Sequence, residues 1–149
     1  MKTEKILIGR KEWCALPNLG IKKMRAKVDT GAKTSALHAE NIHLRKKRGD
    51  DYVAFSLTLF SGEEDNHHLC TYPITDIRNV TSSNGKKEAR YVIMAMLYMG
   101  NVKKEIELTL TNRHLMRYNL LLGREALTPH FIIDPSKAYL LKPPRNMIS

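Results

Sequence analysis

Two runs of this chain repeat their apolar residues at every second position, and no other feature of the sequence limits the fold so tightly. Tyr52 to Phe60 alternates Val53, Phe55, Leu57 and Leu59 against Ala54, Ser56 and Thr58. Glu105 to Thr111 sets Ile106, Leu108 and Leu110 on one face and Glu105, Glu107 and Thr109 on the other. A period of two belongs to a strand, since an amphipathic helix repeats every 3.6 residues. Arg90 to Met99 is apolar on both faces, the pattern of a strand covered on both sides. Gly100-Asn101 then separates two such runs by the two residues a tight hairpin needs, and Asn84-Gly85 marks a second turn. Only Gly123 to His130 reads as helix, for a turn or two before Pro129 interferes. The expected class is all-β, a barrel or sandwich of short strands with one short helix near the C-terminus.

The 149 residues suit a single domain, 1–149, with a modest core and a loose tail from about residue 143. Apolar content of 42% and charged content of 27% are those of a folded protein rather than a disordered one. No secretory leader and no apolar run approaching the ~20 residues of a membrane helix are visible, so no membrane partner is expected. Two widely separated cysteines, Cys14 and Cys70, do not make a disulfide scaffold; a reducing compartment, the cytoplasm, is expected. The net charge of +10 attracts nucleic acid, acidic peptides or anionic lipid without choosing among them. The basic clusters carry no interleaved aromatics of the single-strand-binding kind, which subordinates a nucleic-acid partner.

Chemistry concentrates at Asp29-Thr30-Gly31. Met24, Ala26 and Val28 alternate with Arg25 and Lys27, so Asp29 falls where a strand ends. Gly31 permits the turn that follows, and Thr30 can bond locally. The triplet alone is explained by an Asx-type turn. About ninety residues later, however, "NLLLGREAL" (Asn119 to Leu127) runs as an apolar strand into Gly-Arg and a short helix. Order and spacing of these two segments resemble the retropepsin-like aspartic proteases. The wider match of "VDTGAKTSALHA", "VTSSNGKKEARYVI" and "NRHLMRYNLLLGREAL", roughly Glu4 to Leu141, is similar to the bacterial and archaeal family labelled ATP-dependent zinc proteases. Its members are often encoded beside a ligase that adds glutamates to a ribosomal protein.

The resemblance implies a closed acid-protease barrel and a peptide or protein substrate. Asp29 would be the catalytic carboxylate, with Thr30 and Gly31 shaping its loop. Ser35, Gly123 and Arg124 would support that loop from behind. Ala32, together with a flap around Ser82, Ser83 and Gly85, would touch the substrate. Two carboxylates sharing a proton are required, and one chain supplies one such loop, so Asp29 would meet its counterpart in a homodimer. One position departs from the retroviral pattern: Lys33 stands where an acidic residue pairs with the arginine of Gly-Arg. Lys33 and Arg124 would repel, so Arg124 is expected to find Glu125, Asp134 or another acidic group instead.

Neither a metalloprotease H-E-x-x-H nor a phosphate-binding G-x-x-x-x-G-K-[ST] occurs, so no cofactor is expected. His67, His68 and Cys70 are chemically competent zinc ligands but fall short of a four-ligand set, and "SGEEDNHH" reads more simply as a polar hairpin tip. His38 is a cleft candidate, and Arg113, Arg117 and Tyr118 could hold an anionic substrate end; ordinary surface roles account for all four. The alternative function is a catalytically inactive barrel that uses its basic surface to bind a peptide, ribosomal protein or RNA.

Overall fold

The computed structural model describes residues 4–61, 64–81, 85–112 and 118–144. Ser82, Ser83, Asn84, Arg113, Arg117 and the tail from residue 145 lie outside the described residues, as does the side chain of His67. The chain is mostly β with one short helix, as the period-two runs predict. In order the strands are β1 (Ile6–Ile8), β2 (Lys11–Leu16), β3 (Ile21–Val28), β4 (Ser35–His38), β5 (Glu40–Lys47) and β6 (Asp50–Ser61). They continue with β7 (Glu64–Pro73), β8 (Asp76–Thr81), β9 (Lys87–Met99), β10 (Val102–Thr111), β11 (Leu120–Leu122) and β12 (Phe131–Ile133). Helix α1 is a single turn, Arg124–Leu127, between β11 and β12.

The large sheet runs β10-β4-β11-β3-β2-β9-β8, with a further pairing of β10 to β9. Its two faces follow from the register. Ala26, Leu37, Ile93, Leu97, Met99, Leu108, Leu110, Leu120 and Leu122 turn inward and are all but sealed from solvent. Each of these except Ala26 contributes about 1.5–3 kcal/mol by leaving water. The three-stranded meander β5-β6-β7 adds Val53, Phe55 and Leu57 to the same core. The third sheet, β1 with β12 in parallel, joins the two ends of the described chain.

Two turns set the hairpin registers. Gly100 has φ 59 between Met99 and Val102, which are register partners, so glycine occupies the first central position as in a II′ turn. Between β5 and β6, Arg48 and Gly49 both have positive φ (52 and 84), a I′-like pair that the sequence reading does not flag. Strand β9 differs from its expectation. Its odd-numbered face from Ile93 to Met99 is buried, whereas Met94 and Met96 on the other face are only half covered.

Glu12 is fully buried in β2, opposite the core residue Ala26. Its carboxylate accepts the backbone amides of Gly9 (2.7 Å), Leu140 (2.9 Å) and Leu141 (3.0 Å), fastening the C-terminal segment across β2. Charge-assisted bonds to three amides satisfy a group that would otherwise be prohibitive to bury. Among the described residues no helix is long and apolar enough to cross a membrane.

Candidate functional site

The Asp29 loop is built by strand pairing. β3 and β11 run parallel with Val28 opposite Leu122, and the Asp29 amide extends that ladder by donating to the Leu122 carbonyl at 2.9 Å. The chain then turns: the Ala32 amide donates to the Asp29 carbonyl (3.2 Å), and the Gly31 amide to Asp29 Oδ1 (3.1 Å). The Asx turn expected of the bare triplet is therefore present. It uses one carboxylate oxygen and leaves Oδ2 with no bond among the described residues. Asp29 is half-buried, while Thr30 and Gly31 are exposed.

Behind this loop stands α1. The first amides of a helix have no partner within it, and α1 has no side-chain cap. The loop supplies the acceptors. Arg124 N donates to Ala32 O at 2.8 Å, Glu125 N to Lys33 O at 3.1 Å, and Gly123 N to the buried Ser35 Oγ at 3.0 Å. Ser35 is held in turn by its carbonyl, which accepts Thr109 Oγ1 at 3.2 Å. Gly123 has ordinary extended torsions, φ −85 and ψ 177. Its lack of a side chain matters for space alone, because a Cβ would stand 2.8 Å from the Thr34 carbonyl and 2.9 Å from Ala32 O.

The expected partners of Arg124 need correcting. Its Nη1 donates to the Thr30 carbonyl at 2.9 Å, gripping the turn itself. Glu125 pairs with Lys33 at 3.7 Å, and Asp134 accepts Ser136. The position where the retroviral pattern has an acid–arginine pair thus keeps an ion pair of its own, with lysine facing the residue after the arginine. Asp29, Thr30, Gly31, Ala32, Ser35, Gly123 and Arg124 form one bonded unit. Gly85 stands apart on the β8–β9 connection, exposed at φ 82 and with open space around it.

The other expected sites fare differently. The β6–β7 hairpin exists, but its strands already pair at Ser61 and Glu64, so His67 to Cys70 lie along β7 and not at a tip. His68 is exposed, with Nε2 against Gly20, and Cys70 is buried. Among the described residues no group of three or more His, Cys, Asp or Glu is placed to hold a metal. Both cysteines are free and buried. Burial pushes the Cys14 thiol up to about 12 and also raises Cys70. His38 lies 3.6 Å from Glu40. Tyr118 is nearly buried beneath the cations of Lys11 and Arg25, and its phenol is lowered chiefly by Lys11.

Register also shows which side chains share a face with Asp29. Lys27 is opposite Leu121, Leu121 opposite Ala36, Ala36 opposite Thr109, and Thr109 opposite Val92. Residues two apart along a strand project to the same side. This face of the large sheet therefore carries Lys11, Arg25 and Lys27, with Asp29 just past the end of β3, and on β10, β9 and β8 it carries Thr111, Arg90 and Arg78, of which Thr111 and Arg90 are buried. Arg78 bonds Asp76 at 2.9 Å and Glu107 at 2.8 Å, holding the Asp76 carboxyl below its ordinary range. Sequence reasoning missed Arg78 and Arg90. Arg90 opens the run read as a strand covered on both sides, but the face it shares with Arg78 depends on strand order.

A family model described as retropepsin-like aspartic endopeptidase RimB matches residues 7–144. A Shewanella pealeana protein named probable alpha-L-glutamate ligase is 43% identical over 141 residues, covering 95% of this chain and 31% of its own length. A Desulfotalea psychrophila protein of the same name is 41% identical over 132 residues, 89% of this chain and 28% of its own. The chain spans about a third of the length of these curated relatives. Among solved structures, a Legionella pneumophila protein of unknown function superposes with a TM-score of 0.75 at 28% identity, covering 93% of this chain and 100% of that one.

Proposed function

Because the chain belongs to the RimB-like family of retropepsin-like aspartic endopeptidases, we propose that it hydrolyses peptide bonds as a homodimer in which each protomer supplies Asp29 to a shared pair. Two adjacent carboxylates hold one proton between them, since both cannot ionise comfortably. The ionised one removes a proton from water as it attacks the peptide carbonyl; the protonated one hydrogen-bonds the carbonyl oxygen as charge develops there. The observation that carries this reading is the bonded unit around Asp29. Its turn is fixed by the Leu122 carbonyl, by Arg124 on Thr30, and by three amides of the Gly123–Glu125 segment. Such fixing aims a half-buried carboxylate without consuming both of its oxygens.

The pairings of β9 with both β2 and β10 support a sheet that closes on itself as an acid-protease barrel. On this reading the flap expected around Ser82, Ser83 and Gly85 falls in the sequence between β8 and β9, and Ala32 lines the floor. Substrate charge follows from two supports. The face carrying Asp29 also carries Lys11, Arg25 and Lys27, and the chain bears a net charge of +10. Relatives sharing this region are named as glutamate ligases. The substrate proposed is accordingly an acidic, glutamate-bearing peptide.

Mixing tests the shared pair. Parent protein titrated with excess Asp29→Asn protein, at constant parent concentration, should lose cleavage of an oligo-α-glutamate peptide as mixed dimers form. Activity unaffected by the added variant would refute a pair assembled from two chains.

A further inference from the structure

Two buried polar side chains on neighbouring strands have no hydrogen-bond partner among the described residues: Nε and Nη2 of Arg90 in β9, and Oγ1 of Thr111 in β10. Arg90 is 8% exposed and Thr111 1%. The antiparallel register that sets Thr109 opposite Val92 brings Thr111 opposite Arg90 when extended by two residues. Glu88 approaches Nη2 only to 3.5 Å, outside hydrogen-bond geometry, and is itself half exposed. Arg78, the register partner of Arg90, is occupied by Asp76 and Glu107. Glu88 therefore pairs with Arg90 in charge only, and Nε and Nη2 keep no hydrogen-bond acceptor among the described residues.

A guanidinium out of water without acceptors is costly, and native proteins rarely keep one unless something else completes it. The two unpartnered nitrogens specify what that is. Nε and Nη2 lie on one edge of the guanidinium plane, and their hydrogens point the same way, matching the two oxygens of a carboxylate. The Thr111 hydroxyl adds a third donor from the adjoining strand. Both side chains sit, buried, on the face of the large sheet that leads to Asp29 at the end of β3.

We propose that Arg90 and Thr111 form a carboxylate-binding subsite, receiving an acidic side chain of the peptide whose backbone runs past Asp29. The identity of the occupant as a peptide rests on the peptidase reading above. Arg90 and Thr111 act in specificity and affinity and take no part in the chemical step.

The test is equilibrium binding of a fluorescent oligo-α-glutamate peptide to full-length protein carrying Asp29→Asn, with an oligoglutamine peptide of equal length as control. Arg90→Gln and Thr111→Val should each weaken the glutamate peptide, Arg90→Gln by about tenfold or more, as expected for a lost charge-assisted pair. Neither should alter binding of the glutamine peptide. Because the parent buries two guanidinium nitrogens without hydrogen bonds, Arg90→Leu should melt no lower than the parent. Unchanged glutamate affinity, an equal loss with glutamine, or a lower melting temperature for Arg90→Leu would overturn the subsite. Thr111→Val, which keeps the side-chain shape, carries the test if Arg90→Gln does not fold. Binding in this background is independent of cleavage. Arg90-dependent binding with no cleavage by the parent upholds the subsite and overturns the peptidase reading, and cleavage with Arg90-independent binding does the reverse.

Discussion

Substituting alanine at Gly123 probes the packing of α1 against the catalytic-candidate loop more directly than any other single change. The backbone there is extended, so the new residue meets no torsional penalty. It meets backbone instead: the added Cβ would stand 2.8 Å from both atoms of the Thr34 carbonyl and 2.9 Å from Ala32 O. Backbone cannot rotate aside as a flexible side chain can, so residues 32–34 and α1 must separate by several tenths of an ångström. Overpacking of this kind costs about 1–3 kcal/mol. Separation also stretches the bond from Gly123 N to Ser35 Oγ, and an orphaned buried donor costs about 1–3 kcal/mol. The two costs overlap, and a net loss of about 2–4 kcal/mol is expected. Urea denaturation at fixed protein concentration measures it, with hydrogen exchange locating it. The amides of Asp29, Ala32, Arg124 and Glu125 should exchange faster, and those of the β5–β7 meander should not. Gly49→Ala is the control, since it meets no atom within 4 Å and strains only its own turn at φ +84. A Gly123→Ala protein within about 0.5 kcal/mol of the parent, with unchanged exchange at those four amides, would refute the packing argument.

Glu12→Gln should destabilise by about 2–4 kcal/mol, because a neutral amide cannot accept from the three backbone donors that the carboxylate satisfies; thermal or urea unfolding measures it. The Cys14 thiol, raised from 9.0 to about 12 in the folded chain, stays protonated where the unfolded chain ionises. Its contribution is fully present below pH 9 and is lost as pH rises toward 12, at up to about 1.4 kcal/mol per pH unit. Cys14→Ala should flatten the alkaline limb of the stability profile relative to the parent. Arg48→Asn should stabilise by about 0.5–1 kcal/mol, since asparagine tolerates the left-handed φ of 52 at the β5–β6 turn better than arginine; a shifted urea midpoint reads it.

Much of the strand content was legible because alternation marks a strand: Val53, Phe55 and Leu57 announce one buried face whatever they pack against, while the burial of Ala54 and Ser56 opposite them was not announced. The Gly100-Asn101 hairpin was legible for a similar local reason, a glycine where only positive φ will serve. Arg48-Gly49 was not, because arginine at a left-handed position obeys no turn preference and owes its place to the register of the flanking strands. Asp29 and Gly123 were brought together by the family resemblance, since ninety residues of sequence hold no local sign of their contact. The acceptor chosen by Arg124 was illegible for a deeper reason. Thr30 offers a backbone carbonyl, a group every residue carries, whereas sequence reading looks for acidic side chains. Glu12 was hidden in the same way, its partners being three amides. Arg90 shared a face with Asp29 only after the strand order linked β3 to β9 through β11, β4 and β10.

The central claim is that Asp29 supplies the acid–base pair for peptide hydrolysis, and its most direct test is the turnover of an oligo-α-glutamate peptide by Asp29→Asn protein beside the parent. The substitution keeps the shape of the turn and its bond to the Gly31 amide, so folding should be unchanged. The account predicts a fall in kcat of about 10²–10⁴-fold, the usual worth of a positioned acid–base group, with a melting temperature equal to the parent's. Cleavage by the variant at the parent's rate would contradict it.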